Sequence, residues 1–543
     1  MSEKSTTKSF AILSAGSVIV KILSLLYIPI LLAIIGEEGN GIYAAAYQVY
    51  VFVYVLTNSG LPVAISKLVA ELMAVKNYKD AVRSFKIARF MLLIIGIFMS
   101  ILMYTLAHSL SRVLHFEKSY LAIVALSPTL LFTSIASAYR GYFQGRGNMV
   151  PTAISQVIEQ IVNTVFTLVF AALLIGYGLE AACAGGTIGT SLGALSSVIF
   201  LIVYYRKNRK ISVPAEYKNA EVKRYLYKQL VGKVLNYSIP ITLCVGLQYA
   251  GNLVDLWNTK SRLLVAGFTD VTATQMYSFL YKYQQLMHVP TSIISALAMA
   301  VLPAISGAVA SKDKITTQSK IKYAFRICFL IVIPAAVGLA VLSKPIYSMI
   351  KFGGGWYVML YGSVVLVLMS VMQIQAITLQ GLGKLYAVTV NQLMGIIVKV
   401  IVNYFLIAIP GINILGSIVG SVVGLSLPLV LNYIIIGKHL NVRINLFRLA
   451  SKPLLASAIM GVTIFAFYNA LYLLLGFINV KYIANAVSTI VAIGIGIVVY
   501  ILGLVIVRGI TKEDLDVLPP RLLKLFPQRI LNMLKQADRV IES

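Results

Sequence analysis

Six basic side chains stand inside long apolar runs of this chain: Lys21, Lys67, Lys260, Arg262, Lys282 and Lys399. Three acids do the same: Glu71, Glu159 and Asp255. Bases in an apolar setting attract anions, and an isolated carboxylate there can hold sodium or take a proton. Tyr43, Tyr47, Tyr50 and Tyr54 follow the spacing i, i+4, i+7, i+11, one face of a helix. Tyr277, Tyr281, Gln284 or Gln285, and His288 share a similar face, with Lys282 beside it. Gln156, Glu159, Gln160, Asn163 and Thr167 share a face, as do Gln392, Lys399 and Asn403. No P-loop, HExxH or nucleophile elbow is present, and His108, His115, His288 and His439 lack ligand spacing. Cys183, Cys244 and Cys328 lie far apart in apolar runs and read as small packing residues, not metal ligands.

The elements that hold these groups are membrane helices. The chain has 543 residues, 59% hydrophobic and only 12% charged, with a mean hydropathy of +0.87. Soluble domains carry about twice that charged share. This excludes a soluble enzyme, a disordered chain and a secreted disulfide scaffold. A crossing needs about 20 apolar residues, and the pattern predicts fourteen spans. These are 10–36, 41–74, 87–108, 119–139, 151–175, 181–205, 234–265, 274–310, 322–343, 356–380, 386–408, 413–437, 452–475 and 482–507. The polar Met1–Ser9 segment and the Lys21-bearing run after it read as a retained first helix, not a signal peptide.

The net charge is +28, and its placement matters more than its size. Thirty-five of the 46 Lys and Arg residues, Arg140 among them, fall on alternate connections, with only Arg112, Lys118, Lys344, Lys351 and Lys481 on the others. The positive-inside rule makes the first set cytoplasmic, with both termini inside. The excess is topogenic, so no nucleic-acid partner is expected. The outer connections, such as Gly36–Gly41 and Pro410–Asn413, are little more than turns and leave no room for an external catalytic domain.

Each interior group keeps two readings. A charge at a helix centre costs roughly 2.5–3.5 kcal/mol, so it faces a cavity or a partner. Lys21 is roughly 16 Å from the nearest span end. It either contacts an anion in a cavity or pairs with another helix. Lys67 and Glu71 read first as an i, i+4 ion pair. The tyrosine stripes are packing or cavity lining. The polar face of the fifth span is helix glue or a hydrated path. Asp255 couples an ion, or it neutralises Lys260 or Arg262 a turn or two away. Bases outnumber acids overall, which suits an anion carried on a lipid-like molecule.

A repeat organises the chain. Tyr43 and Tyr47 match Tyr277 and Tyr281 at an offset of 234, while "FQGRGN" at 143–148 matches "LQGLGK" at 379–384, and Gln156 matches Gln392, at 236. The expected plan is an all-α polytopic membrane protein with two pseudo-symmetric six-helix lobes. These are 1–205 and 234–437, joined by a basic cytoplasmic linker 206–233. Two helices over 438–508 and a cytoplasmic amphipathic tail 509–543 follow. Parallel halves of this kind occur in alternating-access transporters.

The strings "GEEGNGIYAAAYQVY", "SGLPVAISKLVAE" and "YRGYFQGRGNMVPTAISQVIEQIVN" resemble the polysaccharide-biosynthesis and stage V sporulation protein B family. That family belongs to the multidrug/oligosaccharidyl-lipid/polysaccharide (MOP) exporter superfamily, alongside MurJ-type lipid II flippases. The resemblance implies a V of two lobes, with two extra helices forming a groove. It implies ATP-independent export, not catalysis, of lipid-linked oligosaccharide of the undecaprenyl-diphosphate type across the bacterial cytoplasmic membrane. The partners it implies are that lipid, membrane lipids and cell-wall synthesis proteins. Lys21, in "VIVKILSLLY", stands where MurJ-type proteins have "SRVLGFVR" and carries over as a diphosphate-contacting base. The second arginine of that motif falls at Tyr27, so an arginine cluster does not carry over. Asp255 falls near a seventh-helix aspartate associated with sodium in some relatives.

The expected substrate is lipid II, including the spore-cortex precursor. Lys21, Lys260, Arg262 and Lys282 would attract the diphosphate, and Tyr43, Tyr47, Tyr50, Tyr54, Tyr277 and Tyr281 would line the path. Asp255, Glu159 and Lys399 are the ion-coupling candidates, with Na+ or H+ as the coupling ion and no other cofactor. The rival readings are another polyprenyl-linked saccharide, such as an exopolysaccharide or teichoic precursor, and cation-coupled drug efflux. A membrane glycosyltransferase and a non-transporting scaffold are less well served by interior lysines and short outer loops.

Overall fold

A computed structural model of the chain describes residues 3–208, 224–311, 313–440, 444–477, 481–507 and 509. Most of the expected basic linker and nearly all of the expected tail lie outside the described residues. Within them every long element is an α-helix. In chain order these are α1 (Glu3–Asn58), α2 (Gly60–Ala74), α3 (Tyr78–Val113), α4 (Tyr120–Gly145), α5 (Val150–Leu174), α6 (Leu179–Asn208), α7 (Tyr227–Val265) and α8 (Asp270–Ala310). Then come α9 (Lys314–Val341), the short α10 (Ser343–Met349), α11 (Trp356–Gly381), α12 (Leu385–Leu406), α13 (Leu415–Leu440), α14 (Leu446–Leu474) and α15 (Lys481–Ile506). Among the described residues, 12 stretches are long and apolar enough to cross a membrane. The first, Ile19–Ala74, bends at Gly36 and supplies two passes, and the 41-residue α8 is a further long helix, so a layout of about fourteen spans holds. The chain is a multi-pass membrane protein. Backbone satisfaction within each helix is what a bilayer demands of a spanning chain.

The connection expected over Gly36–Gly41 is not a loop. The helical direction breaks at one residue, Gly36 (φ 68°, ψ −175°), and Glu37 onward is helical again. That positive φ is one a side chain rarely adopts, so glycine alone makes the bend without spending further residues on it.

The chain divides into two compact units, one of Met1–Leu286 with Ile396–Gly420, the other of Met287–Gly395 with Ser421–Ser543. In the first, Leu68, Phe85, Leu92, Tyr142 and Leu201 belong to a continuous apolar core. There α5 and α6 are joined by buried polar groups: Thr167 Oγ1 donates to Asn163 Oδ1 (3.0 Å) and to the Gly186 carbonyl (2.8 Å), and Thr190 Oγ1 donates to Asn163 Oδ1 (3.2 Å). For Asn163 and Thr167, then, helix glue is the reading that applies. In the second unit, Met460, Ile464, Ala492 and Leu504 pack together, and Tyr500 donates to the Leu330 carbonyl at 2.8 Å. Asp313 caps α9, accepting from Thr316 N at 3.0 Å and from Thr316 Oγ1 at 2.6 Å, and these bonds hold its carboxyl below the usual carboxylate range.

The sequence repeat has a backbone counterpart. α4 ends on Gly147 (φ 73°) with Asn148 N bonded to the Phe143 carbonyl at 3.0 Å. α11 ends on Gly383 (φ 74°) with Lys384 N bonded to the Leu379 carbonyl at 2.7 Å. The two "QG-G" strings thus encode the same left-handed helix stop.

Candidate functional site

All thirteen residues expected at the site fall in the first unit. The tyrosine spacing of α1 produces a ladder, since residues four or three apart on a helix stack over one another. Ring centroids of Tyr43 and Tyr47 are 6.0 Å apart, those of Tyr47 and Tyr50 5.6 Å, and those of Tyr50 and Tyr54 5.9 Å. Tyr43 and Tyr50 are buried and Tyr47 and Tyr54 half-buried. Tyr43 Oη is 3.4 Å from Tyr27 Oη on the other arm of α1. On α8, Tyr277 and Tyr281 are buried, Tyr277 against the edge of Phe116. In this conformation the buried four are packing residues, and the open edges of the ladder are Tyr47 and Tyr54.

The interior bases separate by partner. Lys282 is wholly buried, and its Nζ donates to Glu37 at 2.6 and 2.7 Å. Ser278 Oγ donates to the same carboxylate at 2.8 Å and accepts from Asn40 Nδ2 at 2.8 Å. Here α1 reaches α8 closely: a Cβ at Gly41 would collide with the Thr274 backbone carbonyl. Lys260, also buried, bonds Asp270 and Thr274 Oγ1, each at 2.8 Å, and lies 4.3 Å from the Phe116 ring centroid. Lys118 pairs with Glu38 at 2.6 Å nearby. Arg262 donates from Nε to the Tyr404 carbonyl at 2.9 Å and stacks 3.9 Å over the Tyr404 ring. Lys67 and Glu71 form the expected i, i+4 pair at 3.9 Å, mostly exposed, and contribute little at such a distance. Lys21 differs from all of these. It is exposed on α1 and makes no ion pair or hydrogen bond among the described residues.

The acids are placed otherwise than a local reading suggests. Asp255 does not neutralise Lys260 or Arg262. It pairs with Lys399, and Asn403 Nδ2 donates to its Oδ1 at 3.1 Å. A residue five positions along a helix lies on the far side, so Lys260 cannot share the face of Asp255, and Arg262 is two turns away. Glu159 pairs with Arg140 at 2.5 Å, and Arg140 also donates to Ser155 at 3.0 Å and to Ser197 at 2.8 Å. Arg140 is therefore an interior residue of α4, not part of a cytoplasmic connection. Sequence reasoning missed Glu37, Glu38, Asp270 and Arg140 as partners. The surplus of interior bases over acids was the available signal, since buried lysines demand carboxylates.

A sodium ion at Asp255 meets a cationic neighbourhood. Both carboxylate oxygens are engaged, one by an ammonium and one by an amide N–H. With Lys399 in place these residues do not fit sodium. Among the described residues no group of three or more His, Cys, Asp or Glu side chains could hold a metal ion.

These elements make up a polytopic membrane protein, a bundle of bilayer-spanning helices braced by buried ion pairs, with Lys21 unpartnered among the described residues. The chain belongs to the polysaccharide biosynthesis protein family, whose model matches residues 6–309. It is 28% identical over 453 residues to stage V sporulation protein B of Bacillus subtilis (strain 168), covering 82% of this chain and 86% of that protein. It is 27% identical over 487 residues to the lipid II flippase MurJ of the same organism, covering 86% and 88%. A solved structure of lipid II flippase MurJ in an inward closed conformation shares the fold, with a TM-score of 0.66 at 14% identity over 91% of this chain and 98% of that one.

Proposed function

We propose that this chain is a flippase exporting undecaprenyl-diphosphate-linked peptidoglycan precursor, lipid II, across the bacterial cytoplasmic membrane by alternating access, with both termini inside. Near full-length similarity to a lipid II flippase supports the substrate class. The relative named for sporulation extends the proposal to the precursor of the spore cortex. The observation that carries the reading is Lys21. Lys260, Lys282 and Lys399 each already hold a carboxylate, whereas Lys21, with no partner among the described residues, has its charge to offer a diphosphate. Lys260, Lys282 and Lys399 then shape the path rather than grip the cargo. Tyr47 and Tyr54 present amphipathic ring edges suited to a saccharide.

Coupling is assigned to a proton at Asp255, with the Arg140–Glu159 pair as a second candidate. In proteoliposomes loaded with lipid II, flux should follow an imposed proton gradient and stay unchanged when sodium is replaced by choline. Asp255→Asn should remove the dependence on the gradient. Absence of lipid II movement would overturn the function, and flux that tracks sodium would overturn the proton assignment alone.

A further inference from the structure

The second compact unit contains a groove that the transport reading does not use. It has a volume of about 690 Å³, and Val341, Leu360, Ala458, Val462 and Phe465 line it from α9, α11 and α14. Val462 and Phe465 are exposed, so the groove opens sideways to whatever surrounds the helices. In a multi-pass chain that medium is lipid. Its mouth lies at the ends of spans: Lys344 follows the last residue of α9 closely, and Trp356 opens α11. Along α14 its lining runs from Asn469 at the mouth to Ala458, roughly 16 Å of helix, a depth on the scale of an acyl chain.

The mouth carries uncompensated positive charge. Lys344 is exposed, with Nζ 5.8 Å from the Trp356 ring centroid. Lys351, 4.9 Å over the Tyr482 ring, adds a second cation at the same end. Asp313 is the only acidic residue of this unit among the described residues, and it caps the opposite end of the 28-residue α9. Among the described residues, no carboxylate of the unit is therefore near enough to neutralise Lys344. The rim itself is built: Asn485 Nδ2 donates to the Pro345 carbonyl at 3.1 Å, and Tyr468 donates to Asn485 Oδ1 at 2.8 Å. Polar atoms that would otherwise spoil an apolar groove are already satisfied, which leaves the ammonium as the group in want of a partner.

We propose that this groove is a binding site for an anionic glycerophospholipid, with an acyl chain along α14 and its phosphate on Lys344 beside Trp356. Apolar walls alone would accept any lipid. The lysine over an indole at headgroup depth selects a negative one.

The chain's two tryptophans make the test direct. With Trp257→Phe, Trp356 reports alone. In phosphatidylcholine vesicles, brominated phosphatidylglycerol should quench Trp356 with an affinity about fivefold above that of brominated phosphatidylcholine, the factor one surface lysine supplies. Lys344→Gln should level the two lipids and Lys344→Arg should keep the preference. Ala458→Phe, which fills the floor, should weaken quenching by both. Equal affinities in the chain with Lys344 present overturn the proposal. Displacement of brominated phosphatidylglycerol by equimolar undecaprenyl phosphate also overturns it, assigning the groove to a polyprenyl chain. Should Trp257→Phe fail to fold, native mass spectrometry of the unsubstituted chain and Lys344→Gln with the same lipid pair gives the same comparison.

Discussion

Replacing Lys21 with alanine is expected to abolish lipid export while the protein accumulates normally in the membrane. Lys21 is exposed and unpartnered among the described residues, so its loss leaves no buried carboxylate stranded and should not disturb folding. A hydrogen bond to a charged group contributes about 1.5–3 kcal/mol, so losing it at a diphosphate should cut transport by roughly 10- to 150-fold. Lys21→Arg keeps the charge and should retain part of the activity. Export and abundance must be measured on the same membranes. Normal export by Lys21→Ala would take the residue out of the substrate path.

Glu37→Gln should damage stability far more than any surface change. It removes the carboxylate that holds the wholly buried ammonium of Lys282. Stranding one partner of a buried pair costs about 3–5 kcal/mol, and the partial exposure of Glu37 argues for the lower end. A clear fall in the Tm of the detergent-purified protein is expected. The double variant Glu37→Gln with Lys282→Met removes both charges and should recover most of that loss. The same variant separates two roles for Lys282. If the lysine only braces α1 against α8, the double variant transports. If it touches the diphosphate, stability returns without transport. A Glu37→Gln protein as stable as the parent would contradict the structural role.

The sequence carried the helices and their faces well. The layout of spans followed from apolar length and from the alternation of Lys and Arg between connections, and the tyrosine ladder followed from a spacing of four and three. Those are local properties. What stayed hidden was which helix meets which. Lys282 and Glu37 are 245 positions apart, and Asp255 and Lys399 are 144 apart, so no periodicity links them. A local search for a partner of Asp255 could offer only Lys260, which faces away, and Arg262, which lies two turns off and bonds Tyr404 instead. Glu37 and Glu38 looked like turn residues because the run GEEGNG reads as a turn. Only the single left-handed residue Gly36 was needed to reverse the helix, which leaves the glutamates on the helix that faces Lys282 and Lys118. Arg140 was misplaced for a similar reason: it is near a helix end, and its inward pairing with Glu159 depends on α5 packing alongside.

The central claim is export of a lipid-linked peptidoglycan precursor. Its most direct test is to express the chain in cells depleted of their own lipid II flippase and to assay lipid II in the outer leaflet. The account predicts rescued growth with outer-leaflet lipid II restored, and neither with Lys21→Ala. A well-expressed, membrane-resident chain that leaves outer-leaflet lipid II undetectable would contradict it.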